Sequence, residues 1–81
     1  MRVDYFSETF SEVLVFKTNV STNAQFEKAK PVLSALPEIK SWSIDREDVD
    51  KVLRIESEHL LPAVVIRALH DAGFECEELP D

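Results

Sequence analysis

The sequence predicts an α+β sandwich of element order β-α-β-β-α-β, a four-stranded antiparallel sheet with two helices on one face. Three observations carry that expectation. Two segments repeat apolar residues at the helical period, and the segments around them are β-branched, aromatic or alternating. The two middle strands are separated only by a polar stretch short enough for a hairpin.

The first strand is expected from Val13 to Val20, where Val13-Leu14-Val15-Phe16-Lys17-Thr18 runs into Asn19 and Ser21. Phe26, Ala29, Val32, Leu33 and Leu36 then recur on one helical face. Pro31 interrupts that helix, but by the 3.6-residue period it lies about 200° from the centre of the apolar stripe. Water on the solvent side can meet the lost hydrogen bond, so one kinked helix ending near Leu36-Pro37 is expected. Ile39 to Asp45 and Val49 to Glu56 alternate as strands, with Arg46-Glu47-Asp48 between them as the hairpin connection. Leu61, Val64, Val65, Ala68, Leu69 and Ala72 give the second helix, with Pro62 tolerable in its first turn and Gly73 as a left-handed stop. Phe74 to Leu79 returns as a short strand. The right-handed crossover rule closes this order into the ferredoxin-like split β-α-β arrangement.

Residues 13–81 form the expected domain and residues 1–12 an N-terminal extension. With 81 residues the chain builds one modest core. The longest apolar run, Leu60 to Ile66, is too short to cross a bilayer, and the first residues lack the continuous apolar stretch of a secretory signal, so the cytoplasm is the expected compartment. A net charge of -7 repels nucleic-acid backbones and anionic membranes, and neither is expected as a partner. The single glycine, Gly73, leaves no Gly-rich loop through which backbone could approach phosphate. No cofactor is expected.

Several segments between Val13 and Leu79 resemble the heavy-metal-associated domain family, the copper-chaperone-like modules. Leu33-Ser-Ala-Leu-Pro-Glu-Ile39 followed by Lys40 to Asp45 is similar to that family's Leu-x-x-Leu-Pro-Gly-Val run and the strand after it. Ala68 to Phe74 is similar to its Ala-Gly-Tyr helix ending, and Phe16 to Val20 to its first strand. The resemblance implies the ferredoxin-like fold and, in the family, a Met-Thr-Cys-x-x-Cys loop holding a soft metal ion. Aligned without gaps, Val20 stands at the Met position, and Thr22 and Gln25 stand at the two cysteine positions. Neither a hydroxyl nor an amide substitutes for a thiolate toward a soft ion, so no metal is expected at that loop. Thr22-x-x-Gln25 fits instead the capping box, in which each side chain accepts from the other residue's backbone N–H. Asn23 is the alternative cap.

Other candidates have structural readings. Cys76 shares the inward phase of Phe74 in the last strand and reads as a buried thiol, though it remains the weak metal candidate. His59 and His70 would stand about 16 Å apart on a helix and cannot chelate one ion. Asp45, Glu47, Asp48 and Asp50, with Glu56 at the twelfth position, fail the calcium-loop pattern at Val49 and Asp50 and read as a solvated acidic turn. Val13, Val15 and Val52 are expected on the back of the sheet, and Tyr5, Phe6 and Phe10 ahead of them offer aromatic surface to cover it, within the chain or across a dimer. The alternative is a disordered tail.

The expected function is a non-enzymatic intracellular binding module that uses its surfaces for a protein partner or self-association. One alternative is metal-ion binding or delivery through non-standard ligands, as the resemblance implies. Another is a small-molecule sensor resembling ACT-type domains, which share this topology.

Overall fold

The computed structural model describes residues 12–80. In chain order they form β1 (Glu12–Thr18), α1 (Asn23–Ser34), β2 (Ile39–Asp45), β3 (Val52–Ser57), α2 (Pro62–Asp71) and β4 (Cys76–Glu78). The strands make one sheet in the order β2-β3-β1-β4, every neighbour antiparallel. This is the ferredoxin-like β-α-β-β-α-β arrangement expected from the sequence.

Register decides which face is apolar, because a strand's side chains alternate. Leu14 lies opposite Ile55 and Phe16 opposite Leu53 in the central β1–β3 pair, while Trp42 and Ile44 meet Ile55 and Leu53 from β2. Phe16, Leu53 and Ile55 are fully buried, together with Ala29 and Leu33 of α1 and Val65 and Leu69 of α2. Pro31 does sit inside α1, and it is exposed as its place on the wheel requires. At the end of α2, Gly73 takes a φ of 95°, its N–H donates to the His70 carbonyl at 2.9 Å, and the Phe74 N–H donates to Leu69 at 2.9 Å. That is a Schellman stop, and it needs a residue comfortable at positive φ.

Four details differ from the sequence reading. Strand β3 begins at Val52, and Val49 is 88% exposed in the preceding turn. Side chains explain the delay: Asp45 Oδ1 accepts from the Glu47 N–H at 3.1 Å and Asp48 Oδ1 from the Asp50 N–H at 2.8 Å, so local side-chain bonds compete with the ladder. Strand β1 ends at Thr18, two residues early, because the Thr18 hydroxyl donates to the Lys51 carbonyl at 2.7 Å and accepts from the Val20 N–H at 3.3 Å, turning the chain. Helix α1 ends at Ser34 rather than near Leu36, and β4 is confined to Cys76–Glu78.

The apolar stripe of α2 is also wider than its buried face. Leu61 is the extended N-cap residue, with φ -83° and ψ 134°, so it leaves the helical wheel and is 66% exposed, while Leu60 takes the buried place before it. Val64 lies at the stripe's edge and is 40% exposed.

Candidate functional site: the junction of β1 and α1

The stretch Asn19 to Gln25 carries the chain from the sheet to the helix layer. Val20 anchors it, fully buried beneath the loop. Thr22 is the N-cap of α1, with φ -94° and ψ 162°, and its hydroxyl accepts from the Gln25 N–H at 3.1 Å. The Gln25 carbonyl Oε1 reaches back to accept from two backbone donors, Ser21 N–H at 2.8 Å and Thr22 N–H at 3.0 Å. The capping box is therefore complete and extends one residue further than its usual form. Asn19 ties the loop to the other end of the domain, its Oδ1 accepting from the Glu75 N–H at 2.9 Å ahead of β4.

Asn23 does not cap the helix. It is the first helical residue, and its Oδ1 accepts from Arg46 Nη1 of the β2–β3 turn at 2.7 Å. The Arg46 guanidinium also lies 4.9 Å from the Phe26 ring centroid, and Phe26 meets Trp42 at 5.8 Å between centroids. These links to Arg46 and Glu75 span distant parts of the chain, so no local sequence pattern announces them.

Chemically the junction offers only neutral oxygen and nitrogen. Its oxygen acceptors, Thr22 Oγ1, Gln25 Oε1 and Asn19 Oδ1, already receive backbone N–H groups, and Ser21 N–H, Thr22 N–H and Gln25 N–H are all donating within the loop.

The other sequence candidates are placed as follows. Cys76 is 6% exposed and its thiol is pushed up to about 12 by burial, with the neighbouring Glu77 charge adding to the effect. It lines a cleft of about 340 Å³ with Lys17, Thr18, His70, Glu75 and Glu77, so the fold brings His70 and Cys76 to one place, a neighbourhood no local pattern announces. His59 lies apart, in the turn before α2, at a φ of 59°. Asp45 and Asp48 are spent on the turn and Asp50 faces Lys17 at 3.8 Å. Among the described residues, no group of three or more His, Cys, Asp or Glu side chains is arranged to hold a metal ion.

On the back of the sheet Val13 is 58% exposed and Val15 half-buried, as their phase requires, but Val52 is only 6% exposed. Val52 is the first residue of β3, opposite Asp45 and one step beyond the Leu53–Phe16 pair. It is not open to a partner. Tyr5, Phe6 and Phe10 lie outside the described residues.

The domain has the architecture of heavy-metal-associated modules, with the loop after its first strand held by its own side chains. Solved structures share that architecture at low identity. The N-terminal domain of ZntA in its apo form superposes with a TM-score of 0.75 at 15% identity, over 88% of this chain and 96% of that one. Oxidized MerP from Ralstonia metallidurans CH34 gives 0.75 at 11% identity, over 88% and 100%. The yeast copper transporter domain Ccc2a, solved in apo and Cu(I)-loaded states, gives 0.71 at 20% identity, over 85% and 96%. No family model and no curated protein sequence matches the chain.

Two outcomes are expected. Thr22→Ala removes one side of the reciprocal cap and lowers stability by about 1 kcal/mol with the fold intact, read from the denaturation midpoint. For Cys76 the folded thiol ionises later than its ordinary value of 9.0. The unfolded chain therefore loses its proton first, and the contribution of the buried thiol is complete below pH 9 and declines as the pH rises toward 12. Native protein labels slowly with an alkylating reagent at pH 8, and the stability loss above pH 9 is smaller in Cys76→Ala; equal loss in both proteins contradicts the assignment.

Proposed function

We propose that this protein is a non-enzymatic intracellular binding module that engages a protein partner, or a second copy of itself, through surface outside the β1–α1 junction, and that the junction holds no soft metal ion. The observation that carries the reading is the self-satisfied loop: Thr22 and Gln25 hold each other and the backbone of Ser21. Thiolates are what soft ions select, and the only thiol in the chain, Cys76, is buried and held protonated. Val13 is the open aliphatic residue on the back of the sheet, beside a shallow depression of about 270 Å³ bordered by Ser41, Ser43, Arg54 and Glu56. That mixture of one apolar contact and a polar surround suits a protein interface.

A second reading, metal delivery through non-standard ligands, draws support from the neighbours: Ccc2a was solved loaded with Cu(I), and CsoZ, which shares the fold at a TM-score of 0.66, is a metallochaperone. The two readings separate in competition with a chromophoric chelator under reducing conditions. The parent protein is expected to withdraw neither Cu(I) nor Zn(II) from the chelator, whereas the double substitution Thr22→Cys with Gln25→Cys places two sulfurs one helical turn apart at a helix N-terminus and gains affinity. One tightly held copper per parent chain would overturn the first reading. For the interface, sedimentation velocity should show self-association weakened by Val13→Asp and unaffected by Val49→Asp, an aliphatic residue in the hairpin turn. Equal effects would remove the back of the sheet from consideration.

A further inference from the structure

The two edges of the sheet are not alike. On one side β4 has three residues, two of them Glu77 and Glu78, and Pro80 stands just beyond. Charges, proline and a short length are what keep a second strand off an exposed edge. On the other side β2 has seven residues, and its run Ser41-Trp42-Ser43-Ile44 carries neither a charge nor a proline. Such an edge offers a row of backbone donors and acceptors to another strand. The chain carries a net charge of -7, yet along this edge Glu38 and Asp45 are balanced by Lys40 and Arg46, so it is the place where two copies repel each other least.

We infer that β2 pairs antiparallel with β2 of a second copy, with Trp42 on the two-fold axis, joining two four-stranded sheets into one. The inference rests on the self-association reading above and names its surface.

Faces and charges select the register. Opposed residues of an antiparallel pair share a face. Trp42 and Ile44 share the face of Ile55 and Leu53, toward the helices, and Ser41 and Ser43 take the back, so a residue of β2 must lie on the axis. With Trp42 there, the half-buried indoles meet each other, Ser41 meets Ser43 twice, and Lys40, already paired with Glu58 at 3.1 Å, meets Ile44. At the ends Glu38 comes opposite Arg46 in both directions. The irregularity between Ile39 and Ser41 displaces these outer pairs by about one residue's rise, about 3.3 Å, which two long side chains span. Arg46 gives Nη1 to Asn23, and a guanidinium has further donors for a carboxylate. With Ser43 on the axis, Lys40 would face Arg46, a like-charge pair. With Ser41 there, the irregular stretch would fall at the centre and Asp45 would face Pro37. A strand from an unrelated protein could supply the backbone bonds, but the charges here are matched in both directions only by a second copy of this chain.

Cysteine cross-linking of the full chain reads the register directly. Opposed residues hold their Cα atoms about 4.5–5.5 Å apart, within disulfide range, and the buried Cys76 takes no part. Under a mild oxidant, an equimolar mixture of Ser41→Cys and Ser43→Cys chains is expected to form a covalent heterodimer several-fold faster than either variant by itself. Fastest bonding by Ser43→Cys alone, or equal rates in all three samples, would overturn the proposal. Sedimentation velocity supplies a second arm. Glu38→Arg raises the dimer dissociation constant about tenfold, because two attractive contacts become repulsive, and mixing it with Arg46→Glu chains returns association toward the parent value. Association abolished by Val13→Asp without the Ser41–Ser43 cross-link puts the contact on the back of the sheet, which overturns the edge pairing and keeps the binding reading. A parent chain that stays monomeric throughout overturns edge pairing and self-association together, and leaves a different protein as the partner.

Discussion

The antiparallel pairing of β1 with β3 at the centre of the sheet is the constraint on which the rest of this domain depends. It sets Leu14 against Ile55 and Phe16 against Leu53, and so decides that one face is dry. A one-residue slip would turn that row to solvent and present Val15 and Arg54 to the helices. Helices α1 and α2 need no intrinsic strength on this account. Helix α1 tolerates a proline on its exposed side because Ala29 and Leu33 are sealed against the sheet on the other, and burial of a leucine is worth about 1.5–3 kcal/mol.

The same strand sets the geometry of the junction. Thr18 ends β1 with its hydroxyl bound to Lys51, which joins the β2–β3 turn to the loop, and Asn19 immediately afterwards reaches Glu75 ahead of β4. Arg46 of the turn then contacts Asn23 and Phe26 of α1. Three connections that are far apart in sequence are thus fastened to one short stretch by neutral or singly charged hydrogen bonds. Each is worth about 1 kcal/mol in net terms. Their combined effect is to tie the loop to the β2–β3 turn and to the residue ahead of β4.

The fold was legible because its signals are local and agree with each other. Helical periods, an alternating pair of strands and Gly73 after the last apolar turn each specify the same architecture, and the Thr22–Gln25 box needs only i to i+3 spacing. What was not legible is non-local or depends on a backbone angle. Val49 alternates correctly with the residues after it, yet the Asp45 and Asp48 carboxylates hold the turn open past it. Leu61 fits the helical stripe by number, yet as an extended cap it lies off the wheel. Val52 has the outward phase, yet it is only 6% exposed. The cleft shared by Cys76 and His70 arises only when α2 and β4 are folded back on β1.

Cys76 shows why position within this fold governs what a side chain can do. At a loop-to-helix junction a thiol faces the positive end of a helix dipole and solvent, both of which favour thiolate. In β4, opposite Thr18 and against the core, the same group meets desolvation and the charge of Glu77, both of which favour the neutral form. The chain therefore carries its thiol where the fold suppresses thiolate chemistry, and carries hydroxyl and amide where the fold would promote it. A Thr–Gln pair at that position turns the helix N-terminus inward, to its own backbone.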